Sequence, residues 1–296
     1  MKKLMLVIAV LVSSVVPAHA ATPETIVVID NGTNTSLFPN NIAYEVCIVS
    51  TYKCPNGKTT MEGTGAANLP TTKDKQFNHG TQMISVLLRT NPSVQIIPIR
   101  IVGMMPNGLQ SIYSLDDVQQ ALNWVVTNRI KFNISAVSLA QGRIFAGCKV
   151  PEGMSANITA LKAAQVPVFA AAGNNGDKTA VFSPACLPDA ISVGATDNPW
   201  PGMQPIEYDK NATPTIARYS NGAVGQVDFY LNGRYNATML NGTTKFTVGT
   251  SNATAALAGW WLLNKKDTYD ATLAAIQQST IEISGNGVSG RYVRLP

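Results

Sequence analysis

The sequence predicts a three-layer α/β protein with a mainly parallel central sheet and helices on both faces. Two observations predict it. Short apolar, β-branched-rich runs recur along the chain. Between them lie longer segments whose apolar residues recur at helical spacing. Strands that alternate with helices of this length form parallel sheets covered on both sides.

The strand-like runs are Thr25 to Ile29, Val94 to Val102, Ile134 to Leu139, Val166 to Ala172 and Ala190 to Ala195. The helix-like segments are Gly80 to Arg89, Ser114 to Asn128 and Met154 to Gln165. The second opens on Ser114, three residues before Asp117, a Ser-x-x-acid start signal. Val118, Ala121, Leu122 and Val125 then mark one apolar face.

The N-terminus reads differently. Lys2 and Lys3 precede an apolar run from Leu4 to Val16, and Pro17-Ala18-His19-Ala20 supplies a small-residue cleavage signal. This is the layout of a secretory signal peptide, expected at 1–20, with one domain at 21–296. The run is shorter than the roughly 20 residues that span a bilayer. The expected location is therefore extracellular or periplasmic, with no membrane partner after signal removal.

Net charge is +5, and loss of Lys2 and Lys3 lowers it by two to +3. The basic residues are scattered, whereas a nucleic-acid footprint needs a clustered patch. No nucleic-acid partner is expected. Four cysteines, Cys47, Cys54, Cys148 and Cys186, form an even set without the C-x2-C pairs of a four-cysteine zinc site. In an exported chain that points to disulfides.

Four segments carry chemistry. The first strand runs into Asp30-Asn31-Gly32, and open parallel sheets build sites at the carboxyl ends of strands. His79-Gly80-Thr81 opens a helix, and a histidine suits general-base work near neutral pH. His19 leaves with the signal peptide, so any step needing a histidine falls to His79. Gly249-Thr250-Ser251 places a serine at the mouth of an alanine-rich helix. The N–H groups and dipole there favour developing negative charge. Ala171-Ala172-Gly173-Asn174 delivers an amide that can donate to an oxyanion. Each segment alone also fits a turn or a helix cap.

In the chain order Asp, His, Ser these segments match the subtilisin arrangement. The chain resembles the subtilases, the subtilisin-like serine peptidases, on Val28-Ile29-Asp30-Asn31-Gly32, His79-Gly80-Thr81, Ala171-Ala172-Gly173-Asn174 and Gly249-Thr250-Ser251. Ser138-Leu139, Ser183-Pro184-Ala185-Cys186-Leu187, Ile191-Ser192-Val193-Gly194-Ala195 and Tyr219-Ser220-Asn221-Gly222 add to the resemblance.

The resemblance implies a subtilisin-like fold and a serine endopeptidase acting through an acyl-enzyme. Ser251 is then the nucleophile, His79 the base, Asp30 the residue that orients it and Asn174 an oxyanion donor. Ser138, Leu139, Ala140 and Gly173 would border the substrate, a protein or peptide bound as an added strand. A monomer needing no cofactor is expected. The family often binds calcium, but no dense acidic loop names ligands here. Cys47 and Cys54 are spaced to close a small loop, and Cys148 after the Ser138-Leu139 strand with Cys186 after the oxyanion segment would brace the cleft walls, so Cys47–Cys54 and Cys148–Cys186 are the expected disulfides. By the resemblance, Thr179 to Pro184 would lie where the family shapes the base of its main specificity pocket. It lacks an acid and holds Phe182, so small or neutral side chains are expected there.

There are departures. Ala255 stands where the family has proline, Gln82 where it has a second histidine, and Ala140-Gln141 where it has Gly-Gly. Little chain lies between Ala20 and Thr25, so no folding propeptide is expected. The alternative reading is a catalytically weak relative that binds peptides as an interaction protein. A lipase-type hydrolase is disfavoured because no G-x-S-x-G elbow exists.

Overall fold

The computed structural model describes residues 23–69, 75–197, 214–223 and 225–295. The expected signal peptide, 1–20, lies outside them. The strands are β1 (Thr25–Asp30), β2 (Val46–Ile48), β3 (Thr60–Glu62), β4 (Gln95–Arg100), β5 (Ile134–Leu139), β6 (Val168–Ala171) and β7 (Ile191–Asp197). They continue with β8 (Thr215–Ile216), β9 (Phe229–Asn232), β10 (Arg234–Thr238), β11 (Thr244–Val248), β12 (Ile281–Gly285) and β13 (Val288–Tyr292). The helices are α1 (Asn78–Thr90), α2 (Leu115–Asn128), α3 (Met154–Ala163), α4 (Thr250–Leu263) and α5 (Tyr269–Gln278).

The main sheet has the order β12-β13-β9-β7-β6-β5-β1-β4-β2-β3, with β8 on β7. Every neighbouring pair from β13 to β2 is parallel, and β12 and β3 close the two ends antiparallel. The β10–β11 hairpin stands apart.

Alternation along β1 divides the core. Ile26 and Val28 join Ile84, Leu87, Ala256 and Trp261 on the side of α1 and α4. Val27 and Ile29 join Val118, Leu122, Ile158 and Leu161 on the side of α2 and α3. Successive strand side chains point to opposite faces, so Asp30 continues the α1–α4 series. The parity of one strand thus selects the helices that meet its carboxyl end.

Those two helices approach closely because small residues line the seam. A Cβ on Gly259 would come within 2.8 Å of the Leu87 carbonyl. Thr90 Oγ1 donates to Ala256 O at 3.2 Å and Asn91 Nδ2 to Gly259 O at 3.3 Å. Helix α4 is regular from Thr250 onward, with Ala255 fully buried where the family has proline. Phe169 of β6 meets Trp261 edge-on at 5.4 Å, fastening α4 to the sheet.

The start signal at Ser114 is divided between two acids. Ser114 caps α2 by accepting from Asp116 N–H, while the Asp117 carboxylate accepts from Ser50 N–H at 2.8 Å and its hydroxyl at 3.0 Å. Both expected disulfides are present, with Cα–Cα distances of 6.0 Å for Cys47–Cys54 and 5.9 Å for Cys148–Cys186. The first closes a small loop leaving β2. The second ties the segment after β5 to the turn beyond Phe182. Among the described residues no helix is long and apolar enough to cross a membrane.

Candidate active site

Asp30 ends β1 and is 2% exposed. A carboxylate this deep needs donors, and it has several. Its own neighbour Asn31 donates N–H to Oδ1 at 2.7 Å. His79 Nδ1 lies 2.9 Å from Oδ1 and 2.9 Å from Oδ2. Asn31 also fixes where His79 stands. Its Nδ2 donates to Gln76 O at 2.6 Å and its Oδ1 accepts Gly80 N–H at 2.9 Å. A side chain at 80 would collide with the Gly32 carbonyl, so glycine lets α1 begin against the end of β1.

Burial disfavours the imidazolium, but the charge of Asp30 and its hydrogen bond more than offset this. The net result is a His79 pKa above the ordinary histidine value.

Ser251 lies in the first turn of α4, 7% exposed, with its hydroxyl 3.4 Å from the Ala140 carbonyl. The next residue, Gln141, reaches Asp30 Oδ1 with Nε2 at 3.0 Å and lies 3.2 Å from His79 Nδ1. Two consecutive residues of one strand extension thus touch the serine and the acid–imidazole pair. Asn174 accepts Thr250 N–H at 2.9 Å and Thr250 Oγ1–H at 3.0 Å on its Oδ1, which leaves Nδ2 as its donor end. A Cβ built on Gly249 would lie 3.5 Å from that Nδ2 and 3.7 Å from Ser251 N. The two donors border one small space beside the serine.

Asn221 holds the Asn174 turn. Fully buried, it accepts Asn175 N–H and Asp177 N–H at 3.0 Å each and donates to Ala172 O at 3.0 Å. Gly173 has φ of +108°, and a Cβ there would come within 2.6 Å of the Phe182 ring. A Cβ on Gly142 would come within 2.9 Å of Phe182 Cβ. Phe182 therefore stands between two glycine walls.

The expected site residues divide into two groups. Asp30, His79, Ser251, Asn174, Ala140 and Gly173 gather at one end of the sheet. Ser138 and Leu139, 1% and 0% exposed, lie inside β5 between β1 and β6. The carbonyl that faces the Ser251 hydroxyl is that of Ala140, just past the end of β5. Asn31, Gln141 and Asn221 support the site; the sequence motifs contain all three, but nothing there assigns them a supporting role. Gln141 had a visible signal, a polar residue in place of a family glycine. Among the described residues no three His, Cys, Asp or Glu side chains converge as a cation site.

A parallel three-layer sandwich with this edge defines a subtilisin-like serine hydrolase. The model of the subtilase family matches residues 21–292, and the chain belongs to that family. It is a serine-type endopeptidase by that membership. Similar solved structures include sphericase, 20% identical, covering 89% of this chain and 86% of that one with a TM-score of 0.64. A cold adapted subtilisin-like serine proteinase is 18% identical, covering 91% and 87% with a TM-score of 0.63. A lanthipeptide protease is 17% identical, covering 89% and 81% with a TM-score of 0.64.

Proposed function

We propose that the protein is an exported endopeptidase that cleaves peptide bonds through Asp30, His79 and Ser251. The observation that carries this reading is the His79 ring held at 2.9 Å from both oxygens of a buried carboxylate. That contact commits Nδ1 to Asp30 and leaves Nε2 as the base. Ser251 Oγ attacks the peptide carbonyl as its proton passes to Nε2. The tetrahedral oxyanion is stabilised by Asn174 Nδ2 and Ser251 N–H. Collapse breaks the C–N bond, the amine takes the proton from Nε2, and the acyl group remains on Oγ. Water, deprotonated by His79, then hydrolyses the ester. The substrate backbone lies along 140–142. Export is supported by the signal-like residues 1–20 and by two disulfides, which persist in oxidising compartments.

The direct test is a fluorophosphonate probe on the mature protein, with the labelled residue mapped by mass spectrometry. Labelling at Ser251 is expected. An unlabelled Ser251 in a protein that still binds peptides would favour the non-catalytic reading.

The pH dependence follows from the raised His79 pKa. A general base acts when neutral, so kcat/KM rises with pH through the folded-state pKa of His79. The acid limb should therefore fall above the ordinary histidine value of about 6.5. A midpoint below that value would contradict the Asp30–His79 pairing.

Phe182 sets the third expectation. Its ring fills the space between Gly142 and Gly173, so wild type should cut after small residues. Phe182→Ala should raise kcat/KM for substrates with Leu or Phe before the cut bond by roughly 10–100-fold, the range a few buried methylenes support. Cleavage profiling checks it, and an unchanged profile would remove Phe182 from the pocket.

A further inference from the structure

We propose that Gln141 is a positioning residue that donates to Asp30, restrains the carboxylate against His79 and tempers the basicity of the imidazole. This rests on the triad reading above. The geometry is specific. Asp30 Oδ1 already accepts Asn31 N–H at 2.7 Å, and Gln141 Nε2 adds a donor at 3.0 Å. The two side chains meet although 111 residues separate them in sequence. Only the N–H end of an amide suits a carboxylate oxygen, because the carbonyl end would oppose its charge. That orientation brings Nε2 to 3.2 Å from His79 Nδ1.

Two effects share one sign. Each donor on Asp30 neutralises part of the charge that favours the imidazolium. The positive end of the Gln141 amide also faces the ring nitrogen that bears a proton. Both disfavour protonated His79. Asp30 alone would hold the base protonated further into the neutral range, and Gln141 draws it back.

The other groups around the pair do not titrate in that range. Tyr113 donates to Gly142 O at 2.7 Å, and burial raises its pKa. Arg143 sits over the Tyr113 ring at 5.1 Å. Arg100, opposite Asp30 in β4, has a pKa lowered by burial to about 10 and donates to Val102 O. Neither Tyr113 nor Arg100 changes charge between roughly pH 5 and 8. The first turn of α4 contributes no acidic residue.

The test uses Gln141→Met, which keeps length but removes the donor, and Gln141→Glu, which keeps shape but adds a carboxylate. Two readouts are taken on the mature protein: the acid limb of kcat/KM, and the His79 titration by NMR. In Q141M both midpoints should rise by about half to one pH unit. In Q141E they should rise further. A role confined to packing would change neither midpoint. Unchanged midpoints in both variants, with Ser251 still labelled by the probe, would overturn the inference and leave the triad standing. Failure of Ser251 labelling in wild type would instead overturn the triad, while the NMR titration would still decide whether Gln141 acts on His79.

Discussion

Replacing Ser251 by alanine should abolish fluorophosphonate labelling and lower peptide hydrolysis on the order of a millionfold, the loss known for the serine of subtilisin, a relative. The size follows from the step removed. Without Oγ there is no acyl-enzyme, and the Asn174 and Ser251 backbone donors are left to assist attack by water alone. The fold should survive. The Ser251 hydroxyl has one long contact, to Ala140 O at 3.4 Å, and α4 is already rich in alanine. Gly249, not Ser251, is the N-cap residue, so no cap is lost. The variant should melt within a few degrees of wild type. Hydrolysis or labelling that persists in well-folded S251A would place the nucleophile elsewhere.

Asp30→Asn should lower kcat by about ten-thousandfold. The amide is nearly isosteric, so Asn31 and Gln141 can still donate to a carbonyl oxygen at that position. His79 is affected more. An amide N–H facing Nδ1 would leave the proton on Nε2, so the ring would no longer accept from Ser251. The pH profile should move in a defined direction. Burial lowers the His79 pKa and Asp30 raises it, with the second prevailing. Removing the charge leaves burial unopposed, so the residual acid limb should shift downward. NMR of His79, the single histidine of a chain beginning at Ala21, reads the same change. An upward shift, or turnover within tenfold of wild type, would refute the role given to Asp30.

Much of the site was legible because its parts are local. Asp30 at a strand end, His79 before Gly80, and Ser251 before an alanine-rich run each follow from a few neighbouring residues. Their order along the chain joined them. The supports were less visible because each acts across a long separation. Asn221 acts on the Asn174 turn, Asn31 reaches the start of α1, and Gln141 reaches β1. Ser138 and Leu139 likewise depend on strand pairing. Ser138-Leu139 looks like the family motif, and strand pairing buries both between β1 and β6, while the carbonyl of Ala140, itself buried, faces the Ser251 hydroxyl.

The elements follow the same division. The apolar runs that became β1, β4, β5, β6 and β7, and the segments that became α1, α2 and α3, declare themselves by composition and period. β2 is apolar but only three residues long, and β3 and β12 are partly exposed, so none of them stands out. By itself the sequence determined the layer architecture, the family and the even cysteine set. Only the tertiary structure decided which face of β1 meets α1 and α4, that Phe182 stands between Gly142 and Gly173, and that Gln141 shares Asp30 with His79. A strand buried on both sides shows no polar alternation from which its faces could be told apart. Contacts between distant segments depend on sheet order, which no short stretch of sequence encodes.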